Sequence, residues 1–305
     1  MTLNRRNFIT GSLLAGAVVT LQRAFRAAHA APAHSFRISL AQWSLNRAFF
    51  DGSLDPLDFA RITREKFGLE GVEYVNQFYF DTLNDALVSE LRKRADGEGV
   101  KSLLIMVDRE GAIGAPDANA RRQAVENHYR WADAARSLGC HSIRVNAQSE
   151  GSWDEQMKLA ADGLNQLAAY CERLGLNVLV ENHGGLSSNA SWLTGVMKLA
   201  DNPRVGTLPD FGNFVIDRET GESYDRYKGT RELMPWARAV SAKSHGFDAN
   251  GEESSIDYRQ MLEIVQEAGY RGWIGVEYEG DAHPEEEGIW HTIRLLQRVR
   301  SQLES

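Results

Sequence analysis

Cysteine is scarce in this chain: Cys140 and Cys171 are the two among 305 residues, and no CxxC pair occurs. That excludes a disulfide framework and a zinc–thiolate site. No apolar run is followed by GxGxxG or GxxxxGK[ST], so nucleotide binding has no motif support. No stretch is rich in Lys and Arg, and the formal net charge is −8, a poor match to nucleic acid. Repeats of high identity and low-complexity linkers are absent too. Hydrophobic residues at 43% and charged residues at 25% are ordinary for a globular protein.

The first thirty residues have a different composition. They carry Arg5, Arg6, Arg23 and Arg26, no acid, and a mostly apolar run from Phe8 to Leu21. Ala28-His29-Ala30 follows, a small-x-small triplet. Basic region, apolar core and small-residue site are the parts of a secretory signal. The run falls short of the roughly 20 residues that a membrane helix needs. "NRRNFIT", Asn4 to Thr10, resembles the twin-arginine export motif. The expectation is a signal peptide over residues 1–30, export of the folded protein to the periplasm, and no stable membrane anchor after cleavage. An uncleaved amphipathic anchor is the alternative. Loss of those four arginines takes the formal charge from −8 to −12.

From Ser35 onward, short apolar runs alternate with helical patterns. The expected strands are Phe36–Gln42, Gly71–Val75, Lys101–Val107, Ser142–Ala147, Leu176–Asn182, Val205–Pro209, Ala239–His245 and Trp273–Tyr278. Between them lie segments such as "DPLDFARITREKFG", with Asp55 as N-cap and Pro56 at the first helical position. Eight strand-then-helix units predict an α/β protein, a (β/α)8 TIM barrel over residues 31–305, in preference to a doubly wound open sheet.

Strand parity then assigns faces, because alternate residues of a barrel strand point to the helices and to the lumen. Val178 and Val180 point outward, so Glu181 and His183 point inward. By the same test Glu73, Arg144, Asn146, Gln148, Ser241, Lys243, His245, Glu277 and Glu279 point inward. Charges inside a barrel cost free energy unless paired or metal-bound. Four groups end consecutive strands: Glu181, Asp210, His245 and Glu277. Three carboxylates and an imidazole suit Mn2+, Mg2+ or Co2+, with Zn2+ also compatible. Ion pairs with Lys243 or Arg144 are the plainer alternative for any single member.

The motifs "VENHGG", "LPDFGNF", "KSHGFD" and "GVEYEGD" resemble the xylose isomerase-like TIM-barrel superfamily, which includes ketose 3-epimerases and inosose-processing enzymes. The resemblance covers about residues 35–300 and is strongest over 176–281. It implies one divalent ion held by Glu181, Asp210, His245 and Glu277, with Glu181 and Glu277 as the acid/base pair. It also implies departures: Asn213 stands where the epimerases carry a His, and "GFDANGEE" lacks their Arg.

The implied chemistry is proton transfer beside a carbonyl through a metal-stabilised enediolate, that is, sugar isomerisation or epimerisation. With a leaving group β to the carbonyl, the same enolisation gives a lyase acting on keto-glycosides. A metal-dependent endonuclease and a non-catalytic sugar-binding protein are the readings from other classes. His183 and Lys243 are expected to meet a developing oxyanion. Glu73, Arg144, Asn146 and Asn213 are expected to contact sugar hydroxyls or to pair within the lumen. Trp43 is expected to stack on a sugar ring or to pack within its loop. The expected partner is a small sugar or keto sugar; a homo-oligomer is compatible, although no interface is legible.

Overall fold

The computed structural model describes residues 35–305; the expected signal segment lies outside the described residues. The strands are β1 (Arg37–Ala41), β2 (Gly71–Val75), β3 (Lys101–Met106), β4 (Ser142–Val145), β5 (Asn177–Glu181), β6 (Val205–Leu208), β7 (Val215–Asp217), β8 (Glu222–Ser223), β9 (Val240–Ser244) and β10 (Trp273–Tyr278). Eight of them form one sheet in the order β6-β5-β4-β3-β2-β1-β10-β9. Its ends meet: parallel bridges join Thr207 to Ala237 and Asp210 to Ser241. The Ser241 N–H donates to the Pro209 carbonyl at 2.9 Å, and the Phe211 N–H donates to the Ser241 carbonyl at 3.1 Å. The sheet is therefore a closed parallel barrel with helices outside, the (β/α)8 fold that the alternation predicts.

Two apolar clusters correspond to the two faces of the strands. The larger contains Val72, Tyr74, Ile143, Val145, Val178, Val180, Val240, Ala242, Ile274 and Val276, all packed against the helix layer. The smaller contains Ala41, Val75, Leu104, Met106, Leu179, Leu208 and Ala239, and plugs the lumen. Burying each such Val or Leu contributes about 1.5–3 kcal/mol. Because Leu179 points inward, Glu181 two residues later does so as well.

Local signals set the helix ends. The Asp55 carboxylate accepts from the Leu57 N–H at 2.9 Å, capping the short 3-10 turn Pro56–Asp58 before the helix Phe59–Phe67. Ser152 and Glu155 form a capping box on the helix Trp153–Leu174. The last helix spans Glu285–Leu303, with three glutamates in its first turn, where the helix dipole favours negative charge. The β7–β8 hairpin, inserted after β6, has no counterpart among the expected strands. It is short and largely exposed, so no apolar alternation announces it.

Candidate active site

The strand ends deliver their polar side chains to one point. Glu181 is the last residue of β5, Asp210 follows β6, Lys243 lies in β9 and Glu277 in β10; all four are buried. One carboxylate oxygen from each of Glu181, Asp210 and Glu277 lies within 4.8 Å of the other two. The barrel register explains the convergence, since Asp210 bridges to Ser241 and Glu277 pairs with Lys243.

Protein donors and cations already surround these carboxylates. Asp210 Oδ1 accepts the N–H groups of Gly212 and Asn213, both at 2.8 Å. Glu181 Oε1 accepts from the Asn213 side-chain amide at 2.8 Å, and Glu181 Oε2 lies 2.7 Å from Arg144 Nε. That last contact is a charge contact rather than an aligned hydrogen bond, since neither atom has a hydrogen-bond partner. Lys243 Nζ is 3.4 Å from Glu277 Oε1, 3.9 Å from Asp210 Oδ2 and 3.1 Å from Glu279 Oε1. Asn182, buried beside Glu181, ties the loops: its amide donates to the carbonyls of Asp210 and Asn213 and accepts the Asp210 N–H.

The hydroxyl of Ser241 reveals the protonation pattern. Its Oγ lies 2.6 Å from Asp210 Oδ2 and 2.7 Å from Glu277 Oε2, yet it owns one proton. The hydroxyl can donate to one carboxyl at a time, and a proton on the other would satisfy the second contact. Burial raises Asp210 to about 7, against the pull of Lys243. Burial pushes Glu277 up as well, but Lys243, the Ser241 hydroxyl and Arg144 outweigh it, leaving its pKa below the usual value. Of the two, Asp210 is therefore the easier to protonate and Glu277 the easier to ionise. Burial also raises Glu181 to about 7, with Arg144 opposing and Glu277 adding to the rise. The three share protons as a set.

Above the cluster opens a cavity of about 690 Å³. Trp43, Arg144, Asn146, Asn213, His183, Lys243 and Glu277, all singled out in the sequence, line it. Trp43 does so while packing against Phe50 and Phe78, so the loop-packing alternative holds alongside cavity exposure. Glu181 and Asp210 lie beneath the lining. His183 is an exposed residue that lines the cavity. Its surroundings are nevertheless confined enough, and Arg144 close enough, to hold its pKa below the ordinary value.

Two expected residues are elsewhere. Glu73 points inward but is sealed in the lumen, 1% exposed and outside the cavity lining. Its Oε1 accepts from Ser39 at 2.7 Å, and its Oε2 has no partner. Gly275 makes the room: a Cβ there would lie 2.6 Å from Glu73 Oε2. His245 does not join the carboxylates and is exposed. β9 ends at Ser244, and the chain then turns away, with the His245 N–H donating to Glu253 at 3.1 Å and Phe247 bridging to Glu253. Parity along the strand stops where the strand stops.

Asp108 is the site residue that the sequence reading missed. It accepts from Arg144 at 2.7 Å and from Asn146 at 2.8 Å, and lines the cavity. Burial opposes its ionisation, but Arg144 and Asn146 prevail and lower it to about 2. An acid directly after the third apolar run, in "LLIMVD", was the available signal.

Three carboxylates are donors of the right kind for a hard divalent ion. The expected fourth ligand is not among them, and an ammonium and a guanidinium sit against their oxygens. As arranged, the residues do not fit the four-ligand metal set.

The xylose isomerase-like TIM barrel family model matches residues 64–299. The 3'-dehydrocarminate deglycosidase alpha subunit of a Microbacterium species is 23% identical over 326 aligned positions, covering 81% of this chain and 90% of that protein. The inosose dehydratase of Clostridium beijerinckii is 27% identical over 167, covering 46% of this chain and 55% of that protein. Among solved structures, the 3-keto-D-glucoside 4-epimerase of E. coli superposes with a TM-score of 0.68 at 16% identity, over 86% of this chain and 99% of that one. With more than two thirds of its length matched and the closed barrel in place, the chain belongs to the xylose isomerase-like TIM barrel family.

Proposed function

We propose that this protein enolises a keto sugar carried as a glycoside or bearing a β-hydroxyl, and then expels the β-substituent: a lyase reaction. The observation that carries it is geometric: Glu277 lines the cavity with the Lys243 ammonium 3.4 Å from its carboxylate, and Glu181 clusters with it from behind. Lys243 favours the ionised form of Glu277, while burial pushes Glu181 up. Environments that push two carboxyl pKa values apart separate a base from an acid.

Glu277 takes the proton from the carbon beside the ketone. The C–H electron pair moves into the new C=C bond, and the carbonyl π pair goes to oxygen, giving an enolate. The Lys243 ammonium, at the same wall of the cavity, donates to that oxygen. The enolate then re-forms the carbonyl and the C=C shifts as the β-substituent leaves with its bonding pair, taking a proton from the Glu181 carboxyl. The products are an enone and the released alcohol, phenol or water. No step here is routed through a metal ion.

The sequence ranks epimerisation first; the curated relatives shift the weight, since a deglycosidase and a dehydratase both remove a group from a sugar. Reprotonation of the enolate at carbon would give the epimerase instead. Periplasmic action after twin-arginine export remains part of the proposal. The test is incubation of the purified protein with 3-keto-glycosides and inososes in D2O. Release of aglycone or water supports the lyase; C–H exchange without release assigns the epimerase. Absence of both release and exchange across the panel would overturn enolisation itself.

A further inference from the structure

We propose that the Lys243 ammonium occupies the place of the fourth metal ligand, so that the cluster is charge-compensated from within and binds a divalent cation only weakly. The proposal rests on the same site as the function above, but not on that reaction.

Strand β9 lies between the Asp210 loop and β10, and sends its inward side chains into the cluster. The first, Ser241, is spent on the contact it makes with Asp210 and Glu277. The second is Lys243, whose Nζ comes within 4 Å of both of those carboxylates and of Glu279, while its side chain is 2% exposed. A third inward residue would be His245, but the strand has ended. An ion chelated by Asp210 and Glu277 would therefore face an ammonium across the same oxygens.

Two features show that the lysine is built in rather than draped over the site. A Cβ on Gly212 would lie 2.7 Å from Lys243 Cγ, so the glycine of "DFGN" is the clearance for its stem. The backbone beneath is pinned as well, because the Tyr258 hydroxyl contacts the carbonyls of Ala242 and Lys243 at 3.0 and 2.8 Å. On the opposite side Arg144 compensates Glu181 and Asp108. The two buried cations thus flank the carboxylates that an ion would otherwise neutralise.

The experiment is Mn2+ binding to the chelator-stripped full chain, with free Mn2+ read by electron paramagnetic resonance. All samples carry H291A, because His283, Glu287 and His291 form a second convergent donor cluster on the surface. The expected result is no Mn2+ binding tighter than about millimolar in the Lys243 parent, and binding at least about tenfold tighter in K243H and K243Q. Stoichiometric micromolar binding by the parent overturns the proposal. So do variants that stay within about threefold of the parent or bind more weakly. The parent measurement stands even if a variant fails to fold. Failure of enolisation leaves this readout unchanged, which separates the two claims.

Discussion

Glu73 and Glu277 are the same residue type, both on inward positions of neighbouring regions of one barrel, both buried, and both held by a serine hydroxyl at 2.7 Å. Their protonation differs. Burial raises Glu73 to about 7, with Ser39 opposing and the other glutamates adding to the rise. Glu277 suffers the same burial and ends below its ordinary value, because Lys243 stands 3.4 Å away. At equal burial, it is the Lys243 ammonium and the Ser241 hydroxyl that favour the ionised form of Glu277. Glu73 also has no open cavity above it, so its position under the lumen plug makes it structural.

The largest expected effect tests the working member of the pair. E277Q keeps the volume and removes the base, so turnover of a keto-sugar substrate should fall by about 10²–10⁴. E73Q should leave turnover within about threefold, since Glu73 touches no cavity. Equal losses in the two would erase the distinction. Rates of C–H exchange in D2O measure both.

Next is the cation itself. K243M removes the partner of a buried carboxylate and should destabilise the fold by about 3–5 kcal/mol, read by urea denaturation at pH 7. The double variant K243M/E277Q should recover much of that loss, because no unpaired charge is then left. A double variant no more stable than K243M would show that Lys243 acts by packing.

The pH dependence separates the two glutamates by sign. Glu73 is raised, so the folded state binds its proton more tightly than the unfolded chain does. Its contribution is full below the unfolded value near 4.5 and is lost as pH rises through about 7. The stability of the parent relative to E73Q should thus fall by about 3 kcal/mol between pH 4 and pH 8. Glu277 is lowered, so its contribution is present above that unfolded value and is lost as pH falls through its lower folded value. Parallel curves for parent and E73Q across this window would remove the contrast.

The sequence carried the eight strands and their faces because an apolar alternation of period two has one solution in a barrel: Val178 and Val180 out, Leu179 and Glu181 in. It placed Glu181 and Glu277 for the same reason, and Asp210 from its position just after β6; these three carboxylates cluster. It did not carry depth. Glu73 and Glu277 have equal parity, but Glu73 lies at the middle of β2, under Val75 and Met106, which help plug the lumen. Parity also ran on past its support to His245, beyond the end of β9, while Lys243, for which an ion pair was the plainer alternative, stands against Glu277 and Asp210. Asp108 escaped because a single acid after a strand has no motif until Arg144 and Asn146 fold against it.

The smallest effect isolates the two serines. S39A and S241A each delete a hydroxyl 2.7 Å from a buried glutamate, so geometry alone predicts equal consequences. The surroundings predict otherwise. Ser39 provides the one hydrogen bond to Glu73, whose other oxygen has none, so its loss should raise the Glu73 pKa further and cost about 1 kcal/mol above pH 7. Below pH 4.5 the carboxyl is protonated in both states, and the loss should shrink. Ser241 shares its hydroxyl between Glu277 and Asp210, so S241A frees two carboxyls to meet directly. Close approach of two carboxyls favours a shared proton, so S241A should raise the base and displace the acid limb of the pH–rate profile upward. S39A should leave that limb in place. If S39A moved it as far as S241A does, the separation between the lumen glutamate and the site glutamate would fail, and the cluster would extend to the barrel floor.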